Sequence, residues 1–346
     1  MPSLVHTLTR DPEIAALFSD DAELAAILEF EVALADAEAD AGLISPAAAA
    51  AIRRAAAGFT PDRAGLVEGL ASDGVVVPAL IGQLRAELGP EDAKALHFGA
   101  TSQDAIDTGL ILRLGKAIPI LIERLTALEK ALIALGETSG AMPIMAHTRM
   151  QAALPFTVRD KLATWTEPLA RLRATLDAMR RRLLVVQLGG PTGDRSSFMG
   201  KGDEVARRLA ALLDLGLASA WHSQRDPIVE FGALMALISG TLGKFGADVA
   251  LMAQSEVKQV TLTGGGRSSS MAHKSNPVKA ELLVALARYN AGLAGTLQQA
   301  MIHENERSGA AWTLEWMVLP DMVMTTGKAL ALGLALVGQM EFAQPR

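Results

Sequence analysis

Residues 264–281 read GGGRSSSMAHKSNPVKAE, a loop that runs straight into a helix. Three glycines make a flexible approach, Ser268, Ser269 and Ser270 supply hydroxyls, and Lys274 supplies a cation. Asn276-Pro277 predicts the helix start, with Asn as N-cap and Pro in the first position. Val278, Leu282, Leu286, Tyr289 and Leu293 recur at helical spacing and predict its buried stripe. Backbone N–H groups, hydroxyls and a lysine at a helix N-terminus are a natural place to hold an anion. The same composition also suits a plain Gly/Ser linker. The spacing from glycine to Lys-Ser excludes a P-loop.

Outward from this loop the chain reads as helix. Segments 105–136, 156–187, 203–216, 227–260, 277–303 and 318–339 keep a helical pattern, and no segment shows a sustained strand alternation. Near the start, Leu24, Ile27, Leu28 and Val32 form a stripe with Glu29, Asp36 and Asp40 largely off it, and Gly42 suits the C-terminal cap. Ser45-Pro46 predicts the cap and first turn of an Ala-rich helix. Ala and Leu outnumber Val, Ile and the aromatics, which favours helix. The expectation is an all-α fold, with a small N-terminal helical domain over 1–108 and a bundle of long helices over 109–346.

Composition narrows the function. The 346 residues carry Lys+Arg 32 against Asp+Glu 38, a net charge of -6, so no global basic footprint for nucleic acid is present. Arg180-Arg181-Arg182 reads as a solvated helix end. With no cysteine, disulfides, thiolate metal sites and cysteine nucleophiles are excluded. No His/Asp cluster has metal spacing, and Met199, Met235 and Met252 read as core fillers. Lys244 and Asp248 interrupt the most apolar stretch, and the N-terminus shows no signal-peptide pattern. A soluble, cytoplasmic protein without metal or cofactor is expected. A mean hydropathy of +0.26 is high for such a chain and suggests a bundle core continued across a subunit interface.

Two more stretches matter, LHFGATSQDAIDTG at 96–109 and HTRMQAALPFT at 147–157. Together with SSSMAHKSNPVKAE they resemble the three ordered blocks of the fumarase/aspartase superfamily. Its signature is written G-S-S-x-M-P-x-K-x-N-P. Ser268, Ser269, Met271, Lys274, Asn276 and Pro277 match it, whereas Arg267 replaces the glycine and Ala272 the proline. FSDDAELAAILEFEVALADAEADAGLI near the start and HENERSGAAWTLEWMVLP at 303–320 are similar to the muconate-lactonizing cycloisomerases within that superfamily. The resemblance spans nearly the whole chain. It implies a superfamily bundle whose third, C-terminal helical domain is largely absent here. It also implies a homotetramer in which each site combines blocks from different subunits.

The implied reaction closes a lactone on 3-carboxy-cis,cis-muconate, a small tricarboxylate: one carboxylate adds to a conjugated double bond and a proton is delivered. A 3-sulfomuconate substrate, a fumarate-releasing lyase and an inactive helical scaffold are the alternatives. By the resemblance, Ser268 is the catalytic serine, Lys274 and Asn276 bind carboxylate, and Ser269 belongs to the same substrate loop. Glu281 either orients that loop or is an ordinary first-turn acid. Thr101 and Ser102 match substrate-binding hydroxyls, and Thr101-x-x-Asp104 also reads as a capping box. His97 matches a histidine beside this block in related lyases. In the second block Gln151 is retained. Arg149 stands where most of the superfamily has histidine, and His147 where it has arginine. Arginine stays protonated, so Arg149 suits bidentate carboxylate binding and not base catalysis; His147 is left as a proton-transfer candidate. Arg225 matches a family stretch as a weaker substrate-binding candidate. His303, Glu304 and Arg307 receive no role.

Overall fold

The computed structural model describes residues 4–343 except 268, 272 and 273. Short helices α1 (Leu4–Thr9) and α2 (Pro12–Leu17) precede α3 (Asp20–Asp40) and α4 (Pro46–Gly58). Next come α5 (Arg63–Asp73), α6 (Val77–Ala86) and α7 (Pro90–Ala95). The long elements are α8 (Ser102–Ser139), α9 (Val158–Leu183), α11 (Asp226–Met252), α12 (Val278–Gln299) and α13 (Gly309–Val337), with α10 (Gly202–Leu212) between α9 and α11. The fold is all-α. The expected absence of strands needs correction, because three small antiparallel pairs occur: β1 (Pro143–Thr148) with β2 (Gln151–Thr157), β3 (Val260–Leu262) with β6 (Met340–Phe342), and β4 (Gly266–Arg267) with β5 (Ser275–Asn276).

Local chemistry sets many helix ends. Ser19 accepts from Ala22 N–H, and Ser45 accepts from Ala48 N–H ahead of Pro46. After α3 the chain turns through Gly42 at φ 69°, while Leu43 N–H returns to the Glu38 carbonyl at 2.8 Å, closing the helix.

Packing makes two cores. One joins α8, α9, α11, α12 and α13. The other joins α3, α4 and α6 to the start of α8, and recruits α10, Phe198 and Trp312 from far along the chain. Residue 108 lies inside α8, whose first turns serve the second core and whose remainder serves the first.

In the bundle, Gly243 and Gly246 of α11 let α12 approach closely. A Cβ at Gly243 would stand 2.4 Å from Ala287 Cβ, and one at Gly246 2.5 Å from the Ala280 carbonyl. The buried face of α12 is therefore Ala280, Leu283, Leu286, Asn290 and Leu297, rotated from the predicted stripe, and Val278 and Tyr289 are exposed. Asn290 ties three helices, donating to Ser239 Oγ at 3.2 Å and Thr326 Oγ1 at 3.0 Å. The helices α11 and α13 are long and apolar enough to cross a membrane by length and composition, despite Lys244 and Asp248. Both are mostly buried in the bundle, where Asp248 accepts from Trp165 Nε1 at 2.7 Å and pairs with Lys161 at 2.9 Å.

Candidate active site

The first block opens α8. Asp104, fully buried in the first turn, accepts from Thr101 N–H at 3.0 Å, the carboxylate half of the expected capping box. It does more than cap. Its two oxygens also accept the N–H groups of Gly189 (2.7 Å) and Gly190 (2.9 Å), and His222 Nε2 lies 2.8 Å away. Gly189 tolerates no side chain, since a Cβ there would be 2.6 Å from His222 Cε1. Thr101 and Ser102 are thereby fixed, half-buried, beside a glycine loop.

The next residue, Gln103, donates through Nε2 to Asp107 Oδ2 (3.1 Å) and to the His222 carbonyl (2.9 Å). Its oxygen is then the acceptor for Arg307 Nε at 3.0 Å, and Arg307 Nη2 reaches the Pro191 carbonyl at 3.1 Å. Arg307, given no role in the sequence, thus stands at the start of α8. In the same connection His303 has both ring nitrogens sealed from solvent, and burial, then the Arg225 charge, pushes its imidazole below the usual histidine range.

Arg225 is a correction. Its guanidinium is fully buried, with Nη1 and Nη2 on Asp107 at 2.7 and 3.1 Å and Nε on Glu315 at 3.0 Å. Every donor edge faces a carboxylate of its own chain, and Trp221 covers one face with the guanidinium carbon 4.7 Å from the ring centroid. The residue ties α11 to α8 and α13 and has no edge left for a substrate. His97 precedes α8, and its Nδ1 lies 2.7 Å from Glu31 Oε1.

The second block is the β1–β2 hairpin, with Thr148 opposite Gln151 and a bulge between Met145 and His147. Arg149 and Met150 make the turn at φ 50° and 66°. His147, Arg149 and Gln151 are all exposed, and among the described residues His147 Nδ1 meets only the Met145 carbonyl, at 3.1 Å. Among the described residues no acid pairs with Arg149.

In the third block, Gly266 pairs with Asn276 and Arg267 with Ser275. A Cβ on Gly265 would fall 2.0 Å from Ser275 Oγ, so the glycines are needed for hairpin closure and do more than loosen a loop. Helix α12 begins at Val278 with Pro277 as its cap, so Asn276 sits in the strand and not at the predicted N-cap. Lys279 Nζ donates to Gln339 Oε1 at 3.0 Å, across a cavity of about 230 Å³ walled by residues 264–266 and 276–279. Ser269, Lys274 and Glu281 are exposed; Ser268 lies outside the described residues.

One chain does not bring the three blocks together. Helix α8 carries the first at its start and leads to the second from its end, and its 38 residues at about 1.5 Å each span roughly 57 Å. Gln259 Nε2 donates to the Met145 carbonyl at 2.9 Å, joining the second block to the segment that enters β3 and then the third. The second and third blocks therefore share one end of the bundle and the first occupies the other. A further cavity of about 470 Å³, between α3, α5, α8 and α13, contains none of the predicted site residues.

Comparison with known proteins gives consistent results. The lyase family model matches residues 7–289. A 3-carboxy-cis,cis-muconate cycloisomerase from Pseudomonas aeruginosa is 39% identical over 333 residues, 94% of this chain and 72% of that protein. One from Acinetobacter baylyi is 36% identical, covering 99% of this chain and 78% of that one. The crystal structure of a 3-carboxy-cis,cis-muconate lactonizing enzyme from Pseudomonas putida superposes with a TM-score of 0.92 at 37% identity, over 99% of this chain and 78% of that one.

Proposed function

The chain belongs to the lyase family of the fumarase/aspartase superfamily, and on that footing we propose that it is a cofactor-independent cycloisomerase converting 3-carboxy-cis,cis-muconate to 4-carboxymuconolactone. The observation that carries this is the set of relatives of that activity at 36–39% identity over most of the chain.

The reaction is an isomerisation, so no atom is lost. One carboxylate oxygen of the substrate forms a C–O bond to the conjugated system. The displaced π pair moves onto another carboxylate as an aci-carboxylate, and the adjacent carbon then takes a proton. The protein must fold the substrate for attack, stabilise the growing oxyanion and deliver the proton. Ser268 is the proton donor, helped by Lys274 and the loop N–H groups, because a free hydroxyl is weakly acidic. Asn276 and Lys274 hold the carboxylate that gains charge, Ser269 adds a hydroxyl, and Glu281 orients the loop. Arg149 grips a second carboxylate through its fork, with Gln151 and His147 beside it. Thr101, Ser102 and His97 receive the third.

These groups act together only if different chains supply them. The 38-residue span of α8 supports a homo-oligomer, with each site drawing its first block from one subunit and its second and third from others. A homotetramer fits the superfamily pattern, and the likeness to bacterial metabolic enzymes supports a cytoplasmic setting. The test is direct. Purified protein mixed with 3-carboxy-cis,cis-muconate should abolish the diene's ultraviolet absorbance as lactone accumulates. Unchanged absorbance, or fumarate released from a succinyl adduct instead, overturns the reading.

A further inference from the structure

Beneath the first block lies a buried acidic pair that the reaction above does not use. Glu31 and Glu38, two turns apart on α3, are both buried, with 1% and 0% exposure. Glu31 Oε1 meets His97 Nδ1 at 2.7 Å, whereas its Oε2 and both oxygens of Glu38 are sealed with no hydrogen-bond partner among the described residues. Buried carboxylates are costly unless paired or neutral. Burial, then the neighbouring Glu31, pushes Glu38 up to about 9, so Glu38 is neutral at neutral pH. His97 is held at φ 61°, a conformation that persists in a non-glycine residue only when its surroundings impose it. Burial alone lowers the His97 imidazole, but the Glu31 charge and hydrogen bond carry it above the usual histidine range. Asp104 on α8 adds to that attraction, and Arg85 on α6 opposes it.

Nδ1 is committed to Glu31, so Nε2 is the nitrogen left for a ligand. We infer that Glu31 is a positioning residue of the substrate site: by accepting Nδ1–H it holds His97 as an imidazolium whose Nε2–H donates to a substrate carboxylate at Thr101 and Ser102. The inference rests on the proposed reaction and deepens it. It gives the first block a cation of its own, suited to one carboxylate of a polyanion.

The experiment is a double-mutant cycle on the full-length enzyme with 3-carboxy-cis,cis-muconate. Glu31→Gln should raise KM roughly 10- to 100-fold, the range for a hydrogen bond to a charged group, with a smaller change in kcat. It should also move the alkaline limb of kcat/KM to lower pH, because His97 loses the charge that favours its protonated form. Glu31→Asp should recover part of both. In a His97→Gln background, Glu31→Gln should change neither constant further. Multiplying losses, or an alkaline limb that stays put, would mean that Glu31 only packs the core and would overturn the inference. Should Glu31→Gln fail to fold by circular dichroism, His97→Gln alone decides, since it must raise KM and abolish that limb. An inactive wild type would instead overturn the reaction itself.

Discussion

Asp107 of α8 and Arg225 at the head of α11 share two hydrogen bonds, of 2.7 and 3.1 Å, with neither side chain exposed to solvent. Glu315 of α13 completes the arrangement from the other side. One guanidinium thus bridges two carboxylates at the meeting of three helices.

Removing that cation leaves both acids buried. Arg225→Met should destabilise the protein by about 3–5 kcal/mol, read as a lower midpoint in denaturant unfolding. Adding Asp107→Asn and Glu315→Gln should recover much of the loss. A single variant of wild-type stability would show that the network is not a structural tie.

Glu38 gives a pH signature. Its folded pKa of about 9 lies above its ordinary value of 4.5. Between those values the folded state keeps a proton that the unfolded state releases, so this residue lowers stability progressively as pH rises, levelling off above the folded pKa. Glu38→Gln should therefore change little near pH 4 and gain on the order of 2–4 kcal/mol relative to wild type by pH 8. Unfolding curves at the two pH values check it, and a gain independent of pH would contradict it.

If sites are shared between subunits, two dead proteins can repair each other. Ser268→Ala and Thr101→Val should each be inactive alone and regain activity after joint dissociation and reassembly, since some sites then draw both intact blocks from different chains. A fully active monomer at assay concentration would rule sharing out.

Arg149 and Ser268 should fail differently. Arg149→Ala should mainly raise KM, by the equivalent of about 2–5 kcal/mol if the contact is desolvated, and Arg149→Lys by less, since charge remains without the fork. Ser268→Ala should lower kcat with a smaller change in KM, because its proton is needed only as the transition state forms. Near-normal kcat in Ser268→Ala would pass the proton donor's role to His147 or His97.

What the sequence reveals follows the range of the interactions involved. Ser45-Pro46, Gly42 and the six long helical patterns are local signals, and each matches an element. The β1–β2 hairpin leaves no such trace, because its turn is made by Arg149 and Met150 in left-handed conformation, neither a turn-forming residue type. The face of α12 depends on glycines of α11, which a stripe within α12 alone does not register. Arg225 looks like a ligand-binding arginine until Asp107 and Glu315, 118 and 90 residues away, occupy it. Glu31 escapes notice for a similar reason. It sits among the apolar residues of α3, and only the fold brings His97, 66 residues on, against it.

The second core is built from both ends of the chain, since α3, α4 and α6 close over α10 and Trp312. On the ribosome the first of these helices emerge long before the last of their partners. Until residue 312 has been made, that core keeps an open apolar face and Asp107 lacks the Trp312 Nε1–H that reaches it at 3.0 Å. Helices translated before α10 and Trp312 thus wait on them for completion, and that nascent segment needs shielding from aggregation during synthesis.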